Sequence, residues 1–281
     1  MKSLKTNLRY FLENFFDALK YLAHLTELTA YEALGNLRFL TRIKLLPNST
    51  IRLPYSLGRT IRGLPFDSCT ITDPFAVFIQ KCISNDVTDA DADYLCSLYK
   101  SDANLTAADI LGIPSNENLR KYPSWCVVLP WESINLEQMH NIHPKNFRIN
   151  RSELSDSSIS KNHKNFTFYS RENAYSQIIQ TKKLWESINA IGVQPLKPLP
   201  SAIILIDGSS WRWFMTTSGN HRAYLSKIYG CSYLSVRVHS FVCKQDAWNW
   251  PNVRNGTFSP HEAIEVFESI FNGTKSIRGS V

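Results

Sequence analysis

The chain has 281 residues, of which 43% are hydrophobic and 20% charged. These proportions exclude a chain that is disordered throughout and are typical of a folded globular protein. The six cysteines include no Cys-x-x-Cys pair and no regular spacing, so neither a zinc site nor a disulfide framework is indicated. No signal peptide is recognisable, and we expect a cytoplasmic protein in a reducing environment.

The net charge of +7 is unevenly distributed. Lys and Arg outnumber Asp and Glu by ten to four in residues 1–62 and by seventeen to eleven in residues 125–281, whereas acidic residues lead by nine to four in residues 63–124. This basic, acidic, basic alternation predicts at least two structural units, which we place at 1–124 and 125–281.

The first unit is predicted to be a mainly α-helical N-terminal subdomain. Between Leu4 and Leu22 the apolar residues recur every three or four positions, which indicates an amphipathic helix, and the charges among them exclude a membrane span. Two interpretations remain open for its apolar face. The helix packs on its own domain, or the basic residues 1–62 contact an anionic membrane surface, which would place the protein peripherally at the inner membrane.

The acidic segment from Asp89 to Ile113 contains Thr106 followed three residues later by Asp109, a capping pattern that opens a short helix. Two short helices around a turn are also found in helix-turn-helix DNA-binding proteins. Because a DNA-reading surface needs cations against phosphates, the acidic composition disfavours nucleic acid as a partner.

The second unit alternates strands and helices. Continuous apolar runs, alternation and turn residues predict a buried strand that ends at Pro130, a hairpin around Gly208, and a closing strand. Helical spacing and capping residues predict a long helix ended by Gly192, a helix ended by Gly230, and a C-terminal helix opened by Ser259-Pro260 with Glu262. The predicted strands lie in CVVLPWESI (126–134, where the strand ends at Pro130), AIILID (202–207), WRWFMTT (211–217) and YLSVRVHSFV (233–242).

The stretch TTSGNHRAYLSKIYG (216–230) places Gly219, Asn220, His221 and Arg222 at the start of a predicted helix. A helix start presents unpaired N–H groups and a positive dipole end, so an anion is stabilised there. Glycine allows close backbone approach, arginine can bind two phosphate oxygens, and histidine can donate a hydrogen bond or transfer a proton near neutral pH. The alternative is a simple turn with a surface arginine.

The order strand, long helix, Ile191-Gly192-Val193-Gln194-Pro195 connector, hairpin, Gly219-Asn220-His221-Arg222 helix and strand resembles the ParB/sulfiredoxin superfamily. The resemblance covers roughly residues 125–243 and implies an α+β fold, in which a ParB/sulfiredoxin-like mixed α/β module follows the helical subdomain. Members of the superfamily bind or turn over nucleotides by seating phosphates on that helix start. Ser218, Gly219, Asn220, His221 and Arg222 would then bind the nucleotide.

The resemblance also bears on the activity. Sulfiredoxins carry a cysteine where this chain has Asn220, which disfavours sulfinic acid repair, and few residues follow Cys243 to form the DNA-binding domain of partition proteins. The free serine kinases of the superfamily are more similar, with an acidic residue before the long helix and an Asp-Gly-His-His-Arg motif. Glu172 matches that acidic residue, whereas Ser218 and Asn220 replace the Asp and the first His.

The resemblance therefore implies a nucleotide-dependent phosphotransferase with ATP or ADP and Mg²⁺ as cofactors, and with Glu172 and His221 as catalytic residues. Its acceptor would be a hydroxyl of a small metabolite or of an envelope-glycan sugar. The alternative is a nucleotide-binding ParB-like switch or DNA-associated protein that transfers no phosphoryl group. For Glu172 a purely structural interpretation is also open, since an acid in the first turn of a helix favours the helix dipole.

Overall fold

The fold is described from a computed structural model for residues 50–67, 74–84, 88–101, 105–146, 171–193, 199–216 and 219–274. Within these ranges five strands form one mixed sheet with the order β1-β5-β3-β4-β2. The pairs β1–β5 and β3–β4 are antiparallel, and the pairs β3–β5 and β2–β4 are parallel. The strands are β1 (Thr50–Pro54), β2 (Gly58–Arg59), β3 (Ser201–Asp207), β4 (Ser210–Met215) and β5 (Tyr233–Cys243).

Helices pack against both faces of this sheet, which makes the fold a mixed α+β structure. None of the described helices is both long and apolar enough to cross a membrane. The α-helices of the described ranges are α1 (Pro74–Ser84), α2 (Asp89–Ser101), α3 (Ala107–Leu111), α4 (Glu117–Arg120), α5 (Leu136–Asn146), α6 (Arg171–Ile191), α7 (Asn220–Ile228), α8 (Pro251–Arg254) and α9 (Pro260–Asn272).

The central strand β3 is buried on both faces, because its continuous apolar run lies between two hydrophobic cores. Ala202, Ile204 and Ile206 contribute to a first core with side chains from α1, α2, α6 and α7. Ile203 and Leu205 face the second core, which is filled from α3, α4, α5 and α9. The predicted hairpin is confirmed by the β3–β4 pairing.

The expected division at residue 124 does not separate two cores in the described part of the chain. Strand β1 pairs with β5, and β2 pairs with β4, so the segment 50–59 supplies two strands of the shared sheet. Helices α1 and α2 pack in the first core, and α3 and α4 in the second. This shared sheet could not be predicted from the sequence, because strand pairing between distant segments leaves no local sequence pattern. The predicted Leu4–Leu22 helix lies outside the described residues.

The strand predicted from Cys126 to Pro130 is wrong. A 3₁₀ turn covers Ser124–Cys126, and the chain that follows is irregular although Val128 and Leu129 are buried in the second core. The side-chain amide of Asn252 donates to the carbonyls of Leu129, Glu132 and Ile134 at 2.9–3.0 Å. These contacts satisfy polar backbone groups that a neighbouring strand would otherwise have paired.

Strand β5 contains a bulge at His239. Ala202 of β3 pairs with Val238, but the next residue, Ile203, pairs with Ser240, so His239 is one residue more than β3 can match. The bulge shifts by one residue the positions of β5 that face the first core. Val238 before the bulge and Phe241 after it therefore both pack against this core.

Buried Arg59 joins β2 to the end of α9. Its guanidinium donates to the carbonyls of Ile270 and Phe271 at 2.6–3.1 Å, which satisfies acceptors that a helix end leaves without partners. Burial, followed by the charge of Arg212, lowers the pKa of Arg59 to about 10, so the group still carries its charge at neutral pH. A cation at the negative end of the α9 dipole is favourable.

Candidate anion-binding site

Gly219 forms the turn that opens α7. Its φ of 90° lies in the left-handed region, and a Cβ built at this position would lie 2.7 Å from the Cβ and Cγ of Pro200. Glycine is therefore required for two independent reasons, namely backbone conformation and close approach. The amide of Ala223 donates to the Gly219 carbonyl at 3.0 Å, which starts the helix directly after the turn.

Asn220 is the first residue of α7, which is nine residues long. Its side chain is half-buried, and within the described protein its Oδ1 atom is shielded from solvent without a hydrogen-bond partner. A buried polar atom without a partner costs free energy, so it marks a place where a ligand group would be stabilising. Rotation of the carboxamide by 180° would present the NH₂ donor instead of the oxygen.

His221 follows on the same turn and is half-buried. Burial lowers the pKa of its imidazole to about 4, so the ring is neutral at pH 7. This differs from the expected proton transfer near neutral pH, because a group with this pKa does not titrate there. A neutral imidazole can still donate one hydrogen bond and accept another.

The structure describes the other predicted site residues, Arg222, Ser218 and Glu172, only in part. Arg222 is half-exposed in the first turn of α7, on the same segment as Gly219 and His221. Ser218 lies outside the described residues. Glu172 is the second residue of α6, and its side chain is also outside them.

Helices α6 and α7 contact each other through Trp185 and Tyr229, whose ring centroids are 6.1 Å apart in an edge-on arrangement. Tyr229 follows the last residue of α7 and is therefore at the opposite end from Gly219. The orientation of Glu172 towards the turn at Gly219 thus remains a prediction.

The structure adds Thr216 and His239 to the surroundings of the turn. Thr216 Oγ1 donates to the Ser201 carbonyl at 3.1 Å and lies 3.4 Å from His239 Nε2. Thr216 follows the last residue of β4 and lies three residues before Gly219 in the sequence, and His239 is the bulge residue of β5. A sequence signal existed for the bulge, since the apolar alternation of β5 changes phase between Val238 and Phe241.

The described side chains include no group of three or more His, Cys, Asp or Glu residues that could hold a metal ion. Two open depressions on the described surface lie away from α7. One is lined by polar residues that include Asn118, Tyr122 and Asn255, and the other by residues of α6 that include Tyr175 and Ile179. A pocket at His221 and Arg222 stays a prediction.

Comparisons with protein-family models, curated proteins and solved structures found no match to this chain.

Proposed function

We propose that the protein is a nucleotide-dependent phosphotransferase that binds the phosphates of ATP or ADP at the start of α7. The observation that carries this proposal is the shielded Oδ1 of Asn220 at the first residue of a nine-residue helix. The helix start favours an anion, whereas Oδ1 requires a hydroxyl or N–H donor. A nucleotide supplies both, since its phosphates accept hydrogen bonds and its ribose hydroxyls donate them.

Each residue of the proposed site has a role that follows from its side-chain chemistry. The first amides of α7 and the Arg222 guanidinium stabilise negative charge on the phosphoryl group as it moves. The neutral His221 donates one hydrogen bond to a phosphate oxygen. Glu172 is the general base and accepts the proton of the acceptor hydroxyl.

The described side chains form no cage for Mg²⁺. An ion of this kind is commonly held by substrate phosphates with only one or two carboxylates, so it would arrive with the nucleotide. The resemblance of residues 125–243 to the ParB/sulfiredoxin superfamily supports the same assignment, with a hydroxyl of a small metabolite or envelope-glycan sugar as the acceptor.

The proposal is tested with purified full-length protein, ATP or ADP, Mg²⁺ and a panel of amino acids, sugars and polyols as acceptors. Arg222→Ala should weaken nucleotide binding and turnover together, because the guanidinium contacts phosphate in both the ground and transition states. Glu172→Gln should keep nucleotide affinity and slow turnover by roughly 10² to 10⁴-fold. Arg254→Ala, an exposed arginine of α8, is the matched control.

Nucleotide affinity that is unchanged in both Arg222→Ala and Asn220→Ala would contradict the binding site itself. Nucleotide binding that depends on Arg222, without phosphorylation of any acceptor and without an effect of Glu172→Gln, would instead favour the switch protein that binds a nucleotide and transfers no phosphoryl group.

A further inference from the structure

One face of the β1–β5 pair carries polar and basic side chains. Leu53 lies opposite Leu234, and both are buried in the first core. The neighbouring positions of each strand point to the other face, because successive side chains alternate. The second core, which covers that face elsewhere, reaches β5 only at Val242 among the described residues. We call this surface the open sheet face; it consists of Arg52, Tyr233, Ser235, Arg237 and His239.

The basic side chains of the open sheet face form a row along two strands. Arg52 pairs with Ser235, and Thr50 pairs with Arg237, so the two arginines are diagonal neighbours about 7 Å apart. His239 continues the row at the bulge. All three basic side chains of the face, Arg52, Arg237 and His239, are exposed.

An aromatic ring lies within this row. The Arg52 guanidinium is 5.5 Å from the centre of the half-buried Tyr233 ring, which keeps both groups oriented on the sheet surface. Ser235, half-buried next to them, adds a hydroxyl. The surface thus combines guanidinium groups, a stacking ring and small hydrogen-bonding groups.

The positive charge of the open sheet face has no internal counterpart in the described structure. No described carboxylate forms an ion pair with Arg52 or Arg237, whereas Lys81 and Lys227 each pair with one carboxylate and Lys244 with two. In a chain of net charge +7, a polyanion that binds here releases its own counterions and desolvates no existing ion pair.

We propose that the open sheet face binds single-stranded nucleic acid, with the arginines on backbone phosphates and Tyr233 stacked on a base. Recognition on a sheet surface by stacking and cations is typical of single strands, whose bases are free to unstack. An acidic peptide would use the arginines but gain little from the ring.

The sequence-based argument against nucleic acid concerned the acidic 89–113 segment, which forms different elements. The proposal uses none of residues 219–222, although His239 lies next to that turn through its contact with Thr216.

The test is fluorescence anisotropy of labelled oligo(dT) and oligo(U) titrated with the full-length protein over a range of salt concentrations. The parent should bind with a strong salt dependence. The double substitution Arg52→Ala with Arg237→Ala should weaken binding and reduce the slope of log affinity against log salt by about 0.7 for each phosphate that the protein no longer neutralises. The control removes two exposed arginines elsewhere, Arg120→Ala with Arg254→Ala, which matches the change in net charge.

Tyr233 separates nucleic acid from other polyanions. Tyr233→Leu should weaken oligonucleotide binding on the order of 10-fold, whereas Tyr233→Phe, which keeps the ring, should bind like the parent. Equal binding by the two double variants, or no binding by the parent at low salt, would overturn the proposal. Competition by poly-glutamate as effective as by oligonucleotide, together with parent-like binding by Tyr233→Leu, would identify an acidic polypeptide as the partner and would also overturn it. Comparison of oligo(dT) with oligo(U) shows whether the 2′-hydroxyl contributes.

Discussion

The ring of Pro200 occupies the space that a side chain on residue 219 would need. Pro200 Cβ and Cγ lie 2.7 Å from the position of a Cβ on Gly219. The Pro200 carbonyl also accepts a hydrogen bond from the Arg237 amide at 2.8 Å. Pro200 precedes β3, so this one residue connects the start of α7 to β3 and β5 and fixes the position of the turn at Gly219.

Gly219→Ala should therefore destabilise the protein more than Gly230→Ala. Both glycines have positive φ values, of 90° and 96°, but a Cβ on Gly230 would meet nothing within 4 Å. Backbone strain alone costs roughly 1–2 kcal/mol, and overpacking against Pro200 adds about 1–3 kcal/mol. Chemical denaturation gives both values. Equal decreases in unfolding free energy would show that Pro200 moves aside without cost.

Protonation of His221 should make the protein less stable in acid. Its pKa is about 4 in the folded state and 6.5 in the reference state, so the unfolded chain binds more protons between these values. The stabilisation is fully present above pH 6.5 and is lost as the pH falls towards 4. The difference between these two pKa values corresponds to a loss of roughly 3 kcal/mol in the free energy of unfolding once His221 is fully protonated.

The check is urea denaturation of the parent and of His221→Gln at pH 7.5 and pH 5. The variant should lose much less unfolding free energy than the parent over this interval. His261→Gln, at an exposed histidine in α9, should behave like the parent. A His221→Gln protein with the full pH sensitivity of the parent would assign the effect to other groups.

Replacement of Arg59 by methionine should destabilise the packing of β2 against α9. Methionine fills a similar volume but leaves the carbonyls of Ile270 and Phe271 without the donors that they have now. We expect a decrease of about 2–4 kcal/mol in the free energy of unfolding, measured by chemical denaturation. Arg120→Met, at an exposed site, should change stability by less than about 0.5 kcal/mol. A comparable decrease at both positions would exclude a specific role for Arg59.

Local signals predicted much of the fold. The capping boxes Thr106–Asp109 and Ser259–Glu262 are both present, and Gly192 follows the last residue of the long helix α6. The hairpin of β3 and β4 needed only alternation and a glycine turn. Each of these features is stabilised by neighbours in the sequence, so its residues are visible in a short window.

Features that depend on distant partners could not be predicted. Residues 50–54 are extended because they pair with β5 near the other end of the chain. In the irregular segment after Cys126, the distant Asn252 satisfies the carbonyls of Leu129, Glu132 and Ile134. The first turn of α7 was predicted at Gly219-Asn220-His221-Arg222, but the close approach of Pro200 and the low pKa of His221 depend on packing. Nothing in the motif itself specifies either.

The pairing of β1 with β5 also sets a time scale for synthesis. Thr50 can pair with Arg237 only after the ribosome has synthesised the chain between them. At 5–20 residues per second this takes roughly ten to forty seconds. During this interval the apolar side of β1, with Leu53, has no partner strand. We therefore expect the nascent chain to depend on chaperones, and slowed translation before residue 233 should lower the yield of native protein.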